Sequence, residues 1–262
     1  PCIILRSDGA TLYATRDIAA ALYRKDTYDF AKCLYVVAYQ QDLHFRQWFK
    51  VVELMGYPWA KDLVHVSFGM VSGTEGAFST RKGNMVKLRE VLAAACDKTY
   101  DIICEKSPDL EDKETIARQV GIGALIWNSL YNGRIKDVVF DWDAVLNFDG
   151  ETGPYAQYTH ARACSVLRKA DYTPGAVDYS VLTDAEASAV IAAIDAFPTA
   201  VVEAMEKNEP YLVTRAVMGI CAAFNKFYYE QRILADDAAV RQARLALTDA
   251  TRKVIAIGLN LI

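Results

Sequence analysis

Between Cys33 and Val71 the chain reads as strand, helix, strand with short connections, and few folds accept that order. Residues 33–39 (CLYVVAY) form a near-continuous apolar run, the pattern of a strand buried on both faces. Residues 42–55 place Leu43, Trp48, Phe49 and Val52 on roughly one helical face, and Gly56 offers a C-terminal stop. Residues 63–71 (LVHVSFGMV) alternate, with Val64, Val66, Phe68 and Met70 opposite His65, Ser67 and Gly69. The reading is part of a doubly wound parallel sheet, preceded by a helix from Ile18 to Arg24.

Composition bounds the rest. A chain of 262 residues with 53% hydrophobic and 24% charged side chains has material for one large domain or two ordinary ones, which excludes disorder. No apolar run reaches the roughly 18 residues of a bilayer span, and no charged-then-apolar leader opens the chain. The expectation is a soluble cytoplasmic protein. Six cysteines without a CxxC pair predict reduced, buried thiols and no metal site. The net charge of −4 argues against holding nucleic acid by bulk charge, so any such partner must be bound locally. Residues 1–110 carry 14 basic and 13 acidic groups, which leaves 15 and 20, a net of −5, for residues 111–262.

The two halves also differ in pattern. After Gly69 comes a polar, Gly- and Ser-rich cationic loop (SGTEGAFSTRKGN). From Leu88 the reading is helical, with stops at Pro108, Asn132–Gly133, Gly150–Pro154, Pro174, Pro198 and Pro210. Thr183 and Glu186 have the spacing of a capping box. Residues 137–147 are ambiguous between an extended segment and a short helix. The fold class is therefore α/β plus all-α: a Rossmann-type half over 1–94, a helical connection over 95–152 and an α-helical bundle over 153–262.

Ligands of such sheets bind at the carboxyl ends of the strands. Tyr13, Asp17 and Gln41 stand there, with His44 close by, and a phenol, a carboxylate and an amide suit a guanidinium with its five donors. The alternative is structural: a first-turn carboxylate, a loop amide and a half-buried ring. The loop of Ser79, Thr80, Arg81, Lys82 and Gly83 carries phosphate-binding chemistry, or else is a solvated hairpin; it matches no Walker pattern or dinucleotide fingerprint. His65 and His160 are lone histidines with core or hydrogen-bonding roles. In the helical half, Tyr155 and Tyr158 share a helix face, and Phe224, Phe227, Tyr228 and Tyr229 form a second aromatic group beside Asn225, Lys226 and Arg232. Such rings stack unpaired RNA bases or fill a bundle core.

Five blocks in this order resemble arginyl-tRNA synthetases. They are DGATLYATRDIA from Asp8, YVV with QDLHF around Gln41, HVSFG from His65, STRKGN from Ser79, and GPYAQYTHAR ending at Arg162. The resemblance spans essentially the whole chain, and its first and last blocks are the most specific. It implies a class I synthetase: the second half of a Rossmann-type catalytic domain followed by a helical anticodon-binding domain.

It also implies arginine held by Tyr13, Asp17 and Gln41, and adenosine beside His44, Val66, Phe68 and Met70. Ser79, Arg81 and Lys82 then serve the transferring phosphate. Tyr155, Tyr158, Phe224 and Tyr228 are the candidates for tRNA. ATP with Mg is a substrate, no cofactor is tightly bound, and the partners are arginine, ATP and tRNA(Arg), in a monomer without a membrane. Two departures stand out. Ala77 and Thr80 replace the two lysines of the family's KMSKS loop, and the His-Ile-Gly-His type motif is absent from these residues. The expectation is thus a C-terminal portion of a longer ligase, inactive alone. The competing reading is a non-catalytic tRNA-binding or interaction module.

Overall fold

The computed structural model describes residues 1–73, 76–77, 87–147 and 150–262. They divide into two compact units, Pro1–Val71 with Arg134–Val138, and Ser72–Gly133 with Val139–Ile262.

The first unit is built on α1 (Tyr13–Tyr28), β1 (Cys33–Ala38), α2 (Asp42–Leu54) and β2 (Leu63–Phe68). The strands are parallel, from Cys33 opposite Leu63 to Ala38 opposite Phe68, as the apolar runs predict. Phe45, Trp48 and Val52 form the buried stripe of α2 and pack with Ala14, Ile18 and Ala21 of α1. Gly56 closes α2 at φ +87, a left-handed conformation that glycine adopts without a side-chain penalty.

Two expectations need correction here. β1 is not buried on both faces: Cys33, Tyr35 and Val37 pack on the core, whereas Leu34 and Val36 are 48% and 65% exposed. The helices α1 and α2 cover one face of the strand, so the apolar run outlasts the burial. The first helix also starts earlier than Ile18, which places Tyr13 at its first position and Asp17 in its second turn.

Next along the chain comes a short antiparallel pair, β3 (Val71–Gly73) and β4 (Gly76–Ala77). The helices α3 (Leu88–Lys106) and α4 (Lys113–Tyr131) pack on each other. The ambiguous stretch resolves into both alternatives: β5 (Val138–Phe140) and a single helical turn, α5 (Trp142–Val145), capped by the Asp141 carboxylate. The bundle follows as α6 (Gly153–Lys169), α7 (Ala185–Lys207), α8 (Tyr211–Glu230) and α9 (Ala238–Leu261). Val213, Val217, Ile220, Phe224 and Phe227 recur at three- and four-residue intervals down α8 and are its buried stripe.

The predicted punctuation of the bundle holds in part. Thr152 caps α6, accepting from the Tyr155 N–H at 3.3 Å, and Pro154 sits in the first turn as expected. The cap of α7 is Asp184 rather than Thr183, its carboxylate accepting from the Ala187 N–H at 2.8 Å. Pro198 does not stop that helix. It lies inside α7, which continues because Val201 and Ala204 beyond it pack into the core.

The same helix corrects the hydropathy reading: α7 is long and apolar enough to cross a membrane, with a mean hydropathy of 1.5. It nevertheless contains Asp195 and Glu203, and Ala187, Val190 and Phe197 are buried in the bundle. All six cysteines are unpaired as expected, but only Cys221 is buried, and burial pushes its thiol up to about 12; the other five are partly exposed.

Candidate functional sites

In the first unit the fold brings together the start of α1 and the start of α2. Asp17 projects from the second turn of α1, and His44 from the first turn of α2 just beyond β1. The His44 Nε2 lies 2.6 Å from Asp17 Oδ2. Tyr13, one turn before Asp17, is 81% exposed. Gln41 is exposed at the N-cap of α2, where its amide makes no capping bond. Among the described residues the Tyr13 hydroxyl and the Gln41 amide have no hydrogen-bond partner, so both are open to a ligand. Asp17 is open through one oxygen only, because Oδ2 already accepts from His44, a neighbour predicted to face adenosine.

A second aspartate–histidine pair lies beneath. Asp42 Oδ1 is 3.2 Å from His65 Nδ1, the His65 Nε2 is 2.9 Å from the Val37 carbonyl, and the imidazole stacks on Phe45 at 4.1 Å. His65 therefore has the hydrogen-bonding role expected of it. Of the residues expected near adenosine, Val66 is buried and presents no open side chain, whereas Phe68 and Met70 are 39% and 41% exposed.

The carboxyl end of β2 is tied down by a segment that sequence reasoning missed. Arg134 Nη1 donates to the Ser67 carbonyl at 2.5 Å, and the Gly69 N–H donates to the Arg134 carbonyl at 2.7 Å. Asp137 Oδ1 accepts from the Met70 N–H at 2.6 Å, and the Val138 N–H returns a bond to the Met70 carbonyl at 2.9 Å. Only glycine fits at position 69, because a Cβ there would lie 2.5 Å from the Lys136 carbonyl carbon. Nothing local in the sequence signals this strap, since Arg134 and Ser67 are 67 positions apart. The predicted phosphate-binding residues Ser79, Arg81 and Lys82 lie outside the described residues.

In the second unit the aromatic residues of α6 and α8 separate into two kinds. Phe224 is fully buried, so its ring has no face open to a base; the expectation that it stacks on RNA is corrected to a core role. Tyr158 and Tyr228 are 55% and 41% exposed. The Arg162 guanidinium lies over both rings, 4.9 Å and 5.0 Å from their centroids. Tyr155 is half-buried, and its hydroxyl accepts from the Asn225 amide at 2.9 Å. Tyr158, Arg162, Ser165, Lys169, Tyr228 and Arg232 help to line a groove of about 550 Å³. Arg162 is the member of this face that the spacing argument did not single out, although it ends the block that carries Tyr155 and Tyr158; Asn225 is among the residues expected beside the second aromatic group. Among the described residues no cluster of histidine, cysteine and carboxylate groups has metal-binding geometry.

The fold is that of part of a class I synthetase catalytic domain followed by a helical bundle. Residues 1–142 match the family described as tRNA synthetases class I (R), catalytic domain, and the chain belongs to that family. Residues 156–262 match the DALR anticodon binding domain. Over its full length the chain is 52% identical to an arginine–tRNA ligase of Clostridioides difficile and 54% identical to one of Halothermothrix orenii. It covers 46% of each, so the chain spans about half the length of the curated relatives it matches. Among solved structures it is similar to Thermus thermophilus arginyl-tRNA synthetase, with a TM-score of 0.91 and 29% identity over 99% of this chain and 49% of that one. The fold is also that of the Plasmodium falciparum enzyme, with a TM-score of 0.81 at 21% identity over 98% of this chain and 44% of that one.

Proposed function

We propose that this chain supplies the arginine-recognising part of the catalytic domain and the anticodon-reading bundle of an arginine–tRNA ligase. The observation that carries the reading is the identity of about half of all positions with arginine–tRNA ligases along the entire chain. Functionally we divide it at 1–94 for catalysis, 95–152 for the connection and 153–262 for tRNA. The ligase activates arginine with Mg-ATP as substrate: the arginine carboxylate attacks the α-phosphate and pyrophosphate leaves. A terminal ribose hydroxyl of tRNA(Arg) then attacks the carbonyl of the adenylate and AMP leaves. The chemistry needs positioning and charge stabilisation rather than a covalent side-chain intermediate.

In this scheme Asp17 accepts from the arginine guanidinium, Tyr13 and Gln41 complete its hydrogen bonds, and His44 orients the Asp17 carboxylate. Phe68 and Met70 border the adenosine, and Ser79, Arg81 and Lys82 serve the phosphates. Tyr155, Tyr158 and Tyr228 serve the tRNA. The protein works as a cytoplasmic monomer without a tightly held cofactor. The test is the ligase that contains this chain: Asp17→Asn raises the KM for arginine while that for ATP stays near wild type. Equal loss for both substrates would remove Asp17 from the arginine site.

A further inference from the structure

Tyr158 and Tyr228 belong to different helices, and one cation lies against both of their exposed rings. The Arg162 guanidinium lies 4.9 Å from the Tyr158 ring and 5.0 Å from the Tyr228 ring. Arg162 is itself fixed, because its Nη1 donates to Asn225 Oδ1 at 2.5 Å. Asn225 is fixed in turn, its amide nitrogen donating to the Tyr155 hydroxyl and to Thr159 Oγ1, both at 2.9 Å. Thr159 is fully buried. A continuous chain of contacts therefore runs from a buried threonine to two exposed rings.

We propose that Arg162 and Asn225 are positioning residues that preset Tyr158 and Tyr228 for stacking an unpaired RNA base. The proposal rests on the RNA-binding reading of this bundle and adds how its rings are held. The groove beside them, about 550 Å³, falls within the roughly 300–1,000 Å³ range of ligand sites. A base is favoured over a phosphate as occupant for two reasons. The Arg162 guanidinium lies against two ring faces and already donates to Asn225, and Arg232 at the rim is paired with Asp236 at 3.0 Å. Preset rings bind more tightly because less rotamer freedom is lost on binding.

The test uses the 262-residue chain and an RNA hairpin with an unpaired loop, compared with the same hairpin carrying abasic loop positions. Arg162→Met, Arg162→Lys and Asn225→Leu are each measured for affinity, salt dependence and melting temperature, alone and combined with Tyr158→Leu plus Tyr228→Leu. The expected result is a loss of roughly fivefold or more for each single variant, in proteins that melt with the wild type, and almost no further loss once both rings are gone. Lysine should not rescue, since it lacks the planar group that lies on the rings. The salt slope should stay unchanged.

An additive loss in the ring-deleted background, or a slope reduced by about one, would mean that Arg162 contacts phosphate directly, and would overturn the proposal. So would unchanged affinity in all three variants while the two tyrosine variants bind weakly. If the wild-type chain binds the normal and abasic hairpins equally, the RNA-binding reading fails instead.

Discussion

His44 Nε2 lies 2.6 Å from Asp17 Oδ2 and joins the first turn of α2 to the second turn of α1. The bond fixes one carboxylate oxygen and leaves the other for a ligand, beside the exposed Tyr13. A protonated Nε2 donates here in the neutral tautomer and in the imidazolium alike. The two residues should therefore act as a unit. In the ligase that contains the chain, Asp17→Asn weakens arginine by roughly tenfold or more, because a charge-assisted bond becomes a neutral one. His44→Gln should weaken it less, and the double variant should fall short of the sum. Arginine titration of the four proteins measures this; strict additivity would separate the two roles.

Gly69→Ala tests the strap across the end of β2. The added methyl would press on the Lys136 carbonyl and the Asp137 N–H, both main-chain groups that cannot swing aside. The expected cost is about 1–3 kcal/mol of stability, read by denaturant unfolding. Wild-type stability would mean that the segment Arg134–Val138 is held loosely.

Phe224 and Tyr228 stand one turn apart on α8 and should respond in opposite ways. Truncating the fully buried Phe224 to alanine should cost about 3–5 kcal/mol of stability. Tyr228→Ala should melt nearly as the wild type and lose about 1–3 kcal/mol of RNA affinity. Melting and binding curves on both variants decide the assignment. A large stability loss in Tyr228→Ala with no effect on binding would make that ring structural.

These two rings also mark what is legible in a sequence. The parallel strands, α2 and the bundle follow local periodicity, so Trp48 and Val52 could be placed on one buried face from spacing, although Leu43, assigned to the same face, is 60% exposed and Phe45 takes its place in the core. Exposure at a helix end is different. Phe224 and Tyr228 share a sector of α8, and only the packing of α6, α7 and α9 around it buries one and leaves the other half open. The Arg134 strap is harder still, because its bonds join residues 67 positions apart and leave no repeat or motif. Leu34 and Val36 show the converse error: an apolar run was legible, but which helices cover it is a tertiary fact.

His160 supplies a pH test. Burial, reinforced by the Arg252 charge, lowers its pKa from the usual 6.5. The unfolded chain therefore takes up a proton at higher pH than the folded one. The stability held by neutral His160 is present above about 6.5 and is lost as pH falls below it. His160→Gln should flatten that acid-side decline in melting temperature, and superimposable profiles of the two proteins would contradict it.

The central claim is that a half-chain with a net charge of −5 reads RNA through a few aromatic contacts rather than through bulk charge. Equilibrium binding of the 262-residue chain to tRNA(Arg), and to the same tRNA with its anticodon bases replaced, tests it most directly. The account predicts tighter binding of the unaltered tRNA and a preference that persists as salt is raised, because stacking does not release counterions. Equal affinity for the two RNAs, falling together with salt, would contradict it.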